Sequence, residues 1–132
     1  MQISAELLEQ VVAHAREDAP DECCGVLAVE PGASPRAVRV YRAVNTAASP
    51  LRFEIDGREV LGLIQRIEEE GLELGAIYHS HTRTAPYPSQ TDINFAAHWP
   101  GVEWLIVGLA QDAAPEVRSY LIDDGRVEEV AL

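Results

Sequence analysis

Lysine is absent from this chain, and all ten basic residues are arginine. Chemistry built on a lysine Schiff base, or on the phosphate-binding lysine of a P-loop, is therefore excluded. Cysteine occurs only as the adjacent pair Cys23 and Cys24. Neighbouring cysteines close a strained ring, so no disulfide framework is expected, and a reducing compartment, the cytoplasm, is the expected location. Long apolar runs are missing too, so no segment is expected to span a bilayer. The opening MQISAELLEQ has neither a basic n-region nor an apolar h-region, and no secretory signal is expected. Positive charge is scarce. Ten arginines against 22 Asp and Glu give a formal charge of −12. Such a surface argues against nucleic acid or an anionic membrane as the partner. It suits a partner that is neutral, or basic on its docking face.

What remains is ordinary globular material: 132 residues, 47% hydrophobic and 24% charged. That length can bury a core without staples, and a single domain over residues 1–132 is expected. Residues 4–17 read as a helix, with Ser4 as N-cap and Leu7, Leu8, Val11, Val12 and Ala15 on one face. His14 falls on the polar side of that helix. CCGVLAV, residues 23–29, reads as a buried strand, and AVRVYRAV as a second strand with arginines on its wet side. Residues 45–50 read as loop and 51–55 as a short strand. A second helix over 56–70 carries Asp56 and Glu59 at capping-box spacing and stops at Gly71. Residues 72–81 read as a strand, and a short helix starts near Ser89. WLIVGL, 104–109, reads as a buried strand, and 117–122 with 127–132 as a hairpin turning at Asp124-Gly125. The fold class is α/β of the α+β-like kind: a mixed sheet flanked by two main helices and a short third one.

His79 and His81 stand one residue apart near a strand end. Residues i and i+2 share a strand face, so both imidazoles can converge on one point. If Ser89 caps the following helix, Asp92 lies in its first turn and can face back toward that strand end. Two histidines and a carboxylate make a three-ligand set for a catalytic Zn²⁺ with one open position. Taken singly, each residue has a plainer explanation. Isolated histidines are mostly structural, and Ser89-x-x-Asp92 is also a helix-capping pattern. A hydrolytic site also needs a proton acceptor. Glu22, just ahead of the buried strand, is the favoured candidate, although position alone does not select it among fifteen glutamates. A thiol nucleophile at Cys23 or Cys24 is the competing chemistry, but both lie in strand interior, where cysteine is usually inert. Neither a zinc-deaminase signature nor a His-Glu-x-x-His helix occurs.

Glu22, then H79-S80-H81, TRTAPYP, Ser89, QT and Asp92 resembles the motif of the JAMM (MPN-plus) zinc metallopeptidase family, with no departure in spacing. PDECCGVLAV, NTAASPLRFEID and GAIYHSHT resemble that family's first strand, substrate-side loop and metal strand. The run HSHTRTAPYPSQTD is most similar to the bacterial hydrolases that act on sulfur-carrier protein–cysteine adducts. The resemblance implies a curved mixed sheet, the MPN fold, and one Zn²⁺ per chain held by His79, His81 and Asp92. It implies Glu22 as the general base that returns its proton to the leaving amine, and Ser89 as the hydrogen-bond donor to the oxyanion. The implied partner is a ubiquitin-like sulfur-carrier protein with a C-terminal Gly-Gly tail, and the released amine is cysteine. Its tail is expected to lie extended beside residues 51–55, with Arg52 and Arg83 meeting the carrier. The rival readings are a hydrolase of other ubiquitin-like conjugates and a non-catalytic MPN interaction module.

Overall fold

A computed structural model of the protein describes residues 1–110 and 114–132. In chain order its elements are α1 (Ala5–Asp18), β1 (Cys24–Val29), β2 (Ala37–Ala43), α2 (Gly57–Glu69), β3 (Glu73–His81), α3 (Gln90–Ala96), β4 (Glu103–Gly108), β5 (Glu116–Asp123) and β6 (Arg126–Val130). The strands form one sheet in the order β2-β1-β3-β4-β5-β6. Only β3 and β4 run parallel; every other neighbouring pair is antiparallel. A parallel pair needs a crossover, and here the crossover carries α3. That connection lifts a helix over the end of β3, where the histidines are.

The sheet separates two apolar clusters. Alternation along β1 sends Cys23 and Leu27 to one face, against Val11 and Ala15 of α1. It sends Cys24, Val26 and Ala28 to the other, against Leu63 and Ile67 of α2. Because both faces are covered, β1 and β4 are buried along their whole length, which explains their unbroken apolar runs. On the α1 side the Tyr78 ring lies so close to Gly25 that any Cβ there would overlap it. The Tyr78 hydroxyl meets His14 Nδ1 at 2.7 Å. His14 is thus on the buried face of α1, not the polar face: its partner Tyr78 is supplied by a strand 64 residues away, which helical periodicity cannot reveal.

Local chemistry explains the element ends. Ser4 Oγ accepts from Leu7 N and caps α1. Asp56 caps α2 by accepting from Arg58 N, but the expected capping box does not close, because Glu59 instead accepts from Val44 N at 2.9 Å. Asp124 and Gly125 take φ of 50° and 77°, the pair of left-handed residues that a tight two-residue hairpin turn requires. Residues 51–55 are not a strand. Their backbone groups are taken by side chains of the loop before them: Asn45 Nδ2 donates to Arg52 O, and Asn45 Oδ1 accepts from Glu54 N. Thr46 N and Oγ1 both donate to Glu54 O. A segment satisfied this way has no free ladder to offer a sheet. Phe53, within this segment, is buried against the α2-side cluster.

Candidate metal centre and active site

Register assembles the site. The antiparallel β1–β3 pairing sets Cys24 opposite His79, and the Ser80 N to Cys23 O bond carries the alignment beyond the strand end. Two residues further along, Glu22 falls opposite His81. Residues opposite each other in an antiparallel pair share a face, so Glu22 joins the histidines on the α2–α3 side. Ser80, between the histidines, points the other way and accepts from Cys23 N at 2.8 Å.

The third candidate ligand, an acid, arrives from α3. Here the capping box is complete: Ser89 Oγ accepts from Asp92 N at 3.1 Å, and Asp92 Oδ2 accepts from Ser89 N at 2.9 Å. That reciprocal pair sets the orientation of the Asp92 carboxylate. Its Oδ2 lies 3.0 Å from His79 Nε2 and 3.3 Å from His81 Nε2, and the two Nε2 atoms are 3.1 Å apart. Glu22 is buried beside them, its carboxylate, with ligand nitrogens of His79 and His81, forming a set mutually within 4.8 Å.

The donor set fits a metal ion. His81 Nδ1 lies 2.9 Å from the Ala85 carbonyl oxygen, which can only accept, so the proton sits on Nδ1. The Nε2 lone pair of His81 therefore faces an acceptor, the Asp92 oxygen. Two acceptors in contact repel unless a cation or proton lies between them. Separations of 3.0–3.3 Å also match the tetrahedral edge of about 3.3 Å implied by zinc–nitrogen bonds near 2 Å. His79 Nδ1 is buried without a partner among the described residues. Packing orients its ring instead: Phe53 stacks on it at 4.6 Å between centroids, and Trp104 meets it edge-on at 6.3 Å.

Electrostatics follow from burial. Desolvation pushes the Glu22 carboxyl up to about 7, helped by the Asp92 charge and opposed by His81. Desolvation also lowers His79. For His81 desolvation acts downward as well, but the Asp92 and Ala85 hydrogen bonds outweigh it and leave the group raised. Burial alone would raise Asp92, yet the two imidazoles beside it, in their protonated forms, and the Ser89 N–H hold it far below the usual carboxylate range. Cys23 and Cys24 are fully buried and pushed up by desolvation to about 12. Neither is a thiolate near neutral pH, so the competing thiol chemistry has no nucleophile here.

All five sequence-derived candidates, Glu22, His79, His81, Ser89 and Asp92, come together. Two neighbours escaped the sequence reading. Phe53 was read as part of a strand. Asn45 belongs to the loop that resembles the family's substrate-side loop, with no role of its own in the sequence reading, yet its Nδ2 also donates to Glu22 O at 3.0 Å, while Ser49 O accepts from Glu22 N at 2.9 Å. The loop over residues 45–54 therefore grips Glu22 from both sides of its peptide and sets Phe53 on His79. An asparagine opening a loop next to a buried aromatic was the available signal. Arg52, expected to meet a partner, is ion-paired with Glu54 at 2.6 Å.

A mixed sheet with two helical layers, and an inward-facing His-x-His at the end of its central strand, defines the JAB/MPN class of domain. The chain belongs to it: the family model described as prokaryotic homologs of the JAB domain matches residues 4–123. Among curated relatives, the CysO-cysteine peptidase of Mycobacterium tuberculosis is 41% identical over 127 residues, covering 96% of this chain and 86% of that protein. The desampylase of Haloferax volcanii is 38% identical over 112 residues, covering 80% of this chain and 78% of that protein. Among solved structures, a protein from Desulfitobacterium hafniense superposes with a TM-score of 0.87 at 32% identity, covering 98% of this chain and 88% of that one. A JAB1/MPN domain protein from Archaeoglobus fulgidus shares the fold, with a TM-score of 0.65 at 21% identity, over 100% of this chain and 96% of that one.

Proposed function

We propose that this protein is a zinc-dependent hydrolase. It cleaves the amide bond after the C-terminal Gly-Gly of a ubiquitin-like sulfur-carrier protein and releases cysteine. The observation that carries the reading is the convergence of His79 Nε2, His81 Nε2 and Asp92 Oδ2 to within 3.3 Å, with a buried carboxyl, Glu22, beside them. The relatives named for CysO-cysteine and for desampylation support the substrate class.

His79, His81 and Asp92 would hold one Zn²⁺ per chain. When bound, it supplies Lewis acidity that lets water act as a nucleophile near neutral pH. Glu22, with its carboxyl at about 7, is poised to accept a proton from the attacking water and return it to the leaving nitrogen. A bound cation would favour its deprotonated form, so it begins as the base and becomes the acid once it has taken the proton of the water. Ser89 Oγ already accepts from Asp92 N, so its own proton is free to donate to the oxyanion that develops on the scissile carbonyl. Such a donor is worth about 3–4 kcal/mol. Ser89 is exposed while Asp92 is buried, which leaves the hydroxyl open to substrate and the carboxylate on the metal side. The capping box thus serves fold and chemistry with the same two side chains. We place the whole activity in a single domain over residues 1–132.

The test is direct. Candidate carriers bearing a C-terminal cysteine adduct are mixed with the protein, and intact masses are followed with and without chelator. Loss of the cysteine mass, abolished by chelator and restored by Zn²⁺, is the expected result. A carrier that stays intact with zinc-loaded protein overturns the reading. The second reading, an isopeptidase for ubiquitin-like conjugates, is favoured by the desampylase relative, and a lysine-linked conjugate run alongside measures it.

A further inference from the structure

Two open pockets of opposite sign flank the turn that leads into Glu22. One is lined by Glu17, Asp18, Asp21 and Glu22, and its one arginine, Arg42, is already ion-paired with Glu17. The other is lined by Arg16, Ala19, Pro20, Thr82, Arg83 and Leu109 and contains no carboxylate. This second pocket is built on the seam of the site. Thr82 follows His81 directly, Pro20 lies two residues before Glu22, and Thr82 Oγ1 donates to Pro20 O at 3.1 Å, joining the two segments. In a chain of charge −12, Arg36, Arg39, Arg42, Arg52 and Arg118 are all spent on ion pairs. Arg16 and Arg83 make none among the described residues, and both face this one cavity of about 510 Å³, a volume that accommodates an amino acid.

The leaving nitrogen must come within reach of Glu22, because Glu22 protonates it. Its nearest substituents therefore lie beside this turn. In an adduct with an α-amino acid, a free carboxylate stands two bonds from that nitrogen. In a conjugate to a protein lysine, the same position is a methylene chain. The acidic pocket repels a carboxylate, whereas guanidinium groups pair with one in a forked geometry.

We propose that Arg16 and Arg83 form a carboxylate-binding pocket for the leaving amino acid, selecting adducts with a free C-terminal carboxylate over amides and lysine-linked conjugates. The proposal rests on the hydrolase reading above and names the leaving group of that same site.

The experiment compares kcat/KM for a carrier–cysteine adduct with that for the same adduct ending in cysteinamide. Wild type is expected to prefer the carboxylate about five- to tenfold, the scale of two solvent-exposed charge contacts. The ratio should fall toward one in an Arg16→Gln, Arg83→Gln double variant and persist in Arg58→Gln, a change on α2 outside the pocket. A binding readout needs no turnover. N-acetyl-L-alanine should shift the Nε–H resonances of Arg16 and Arg83 in ¹⁵N-labelled protein, and N-acetyl-L-alaninamide should not. Equal cleavage of both adducts by wild type, an unchanged ratio in the double variant, or equal shifts from both fragments overturns the proposal. If zinc-loaded wild type cuts neither adduct while N-acetyl-L-alanine still shifts both arginines, the hydrolase reading fails and the carboxylate pocket stands.

Discussion

At the scale of single residues, the proposed site divides into groups that would hold the metal and a group that would move a proton. His79→Ala removes one corner of the ligand triangle, so elemental analysis should find most of the zinc lost from protein purified without added metal. Glu22→Gln keeps the shape of the side chain but cannot accept a proton. It should retain zinc and lose about 100-fold or more in turnover, the usual worth of a positioned acid–base group. Wild-type turnover in that variant would put the base elsewhere. The cysteines give the opposite expectation. Cys23 and Cys24 pack on opposite faces of the sheet, so each alanine substitution should cost about 1 kcal/mol through the void left behind. Chelator-sensitive activity should survive both changes, which intact-mass turnover on folded variants checks.

At the scale of elements, two side chains tie the chain together around the site. Asn45 uses its whole amide: Nδ2 serves Glu22 O and Arg52 O, and Oδ1 serves Ala47 N and Glu54 N. Asn45→Ala leaves those backbone groups without partners, and about 1–3 kcal/mol of stability should be lost in urea unfolding. Ser89→Ala removes the α3 cap, for about 1 kcal/mol, together with the hydroxyl proposed to meet the oxyanion. Its activity should therefore fall much further than its stability. The sequence showed both helix starts as Ser/Asp-x-x-Glu/Asp patterns, yet only α3 closes its box. At α2, Val44 N competes for Glu59 and wins, a contest between segments that spacing does not record. The same limit applies to residues 51–55. A short strand is the sequence expectation there, but the hydrogen-bonding capacity of Asn45 and Thr46 claims the backbone first.

At the scale of the whole molecule, metal binding is linked to pH. Without metal, Glu22 is raised to about 7 and His81 lies above its ordinary value, so both hold protons near and below neutrality. A cation in the site favours their deprotonated forms and expels those protons. Zinc affinity should therefore rise between pH 6 and pH 8 and weaken on acidification. Calorimetry in buffers of different ionisation enthalpy should detect proton release near pH 7; affinity independent of pH would contradict the assigned ligands. None of the helices among the described residues is long and apolar enough to cross a membrane. The chain's acidity leaves its unpaired arginines as the local sites where an anionic group can dock.

The linear sequence by itself determined the candidate ligand set: His-x-His shares a face because strands alternate, and Ser-x-x-Asp turns a carboxylate back because a helix start demands a cap. It also determined the buried strands, whose unbroken apolar runs are needed only where both faces of a sheet are covered. Tertiary structure brought one of the fifteen glutamates, Glu22, to the two histidines. Antiparallel register brings Glu22 to His81 across 58 intervening positions, and its raised pKa comes from burial that no local pattern encodes. The same holds for His14 on its Tyr78, Phe53 on His79, and Arg16 and Arg83 lining one pocket. Each of these is a pairing between distant segments, fixed by the order in which strands join the sheet and not by the spacing of residues along the chain.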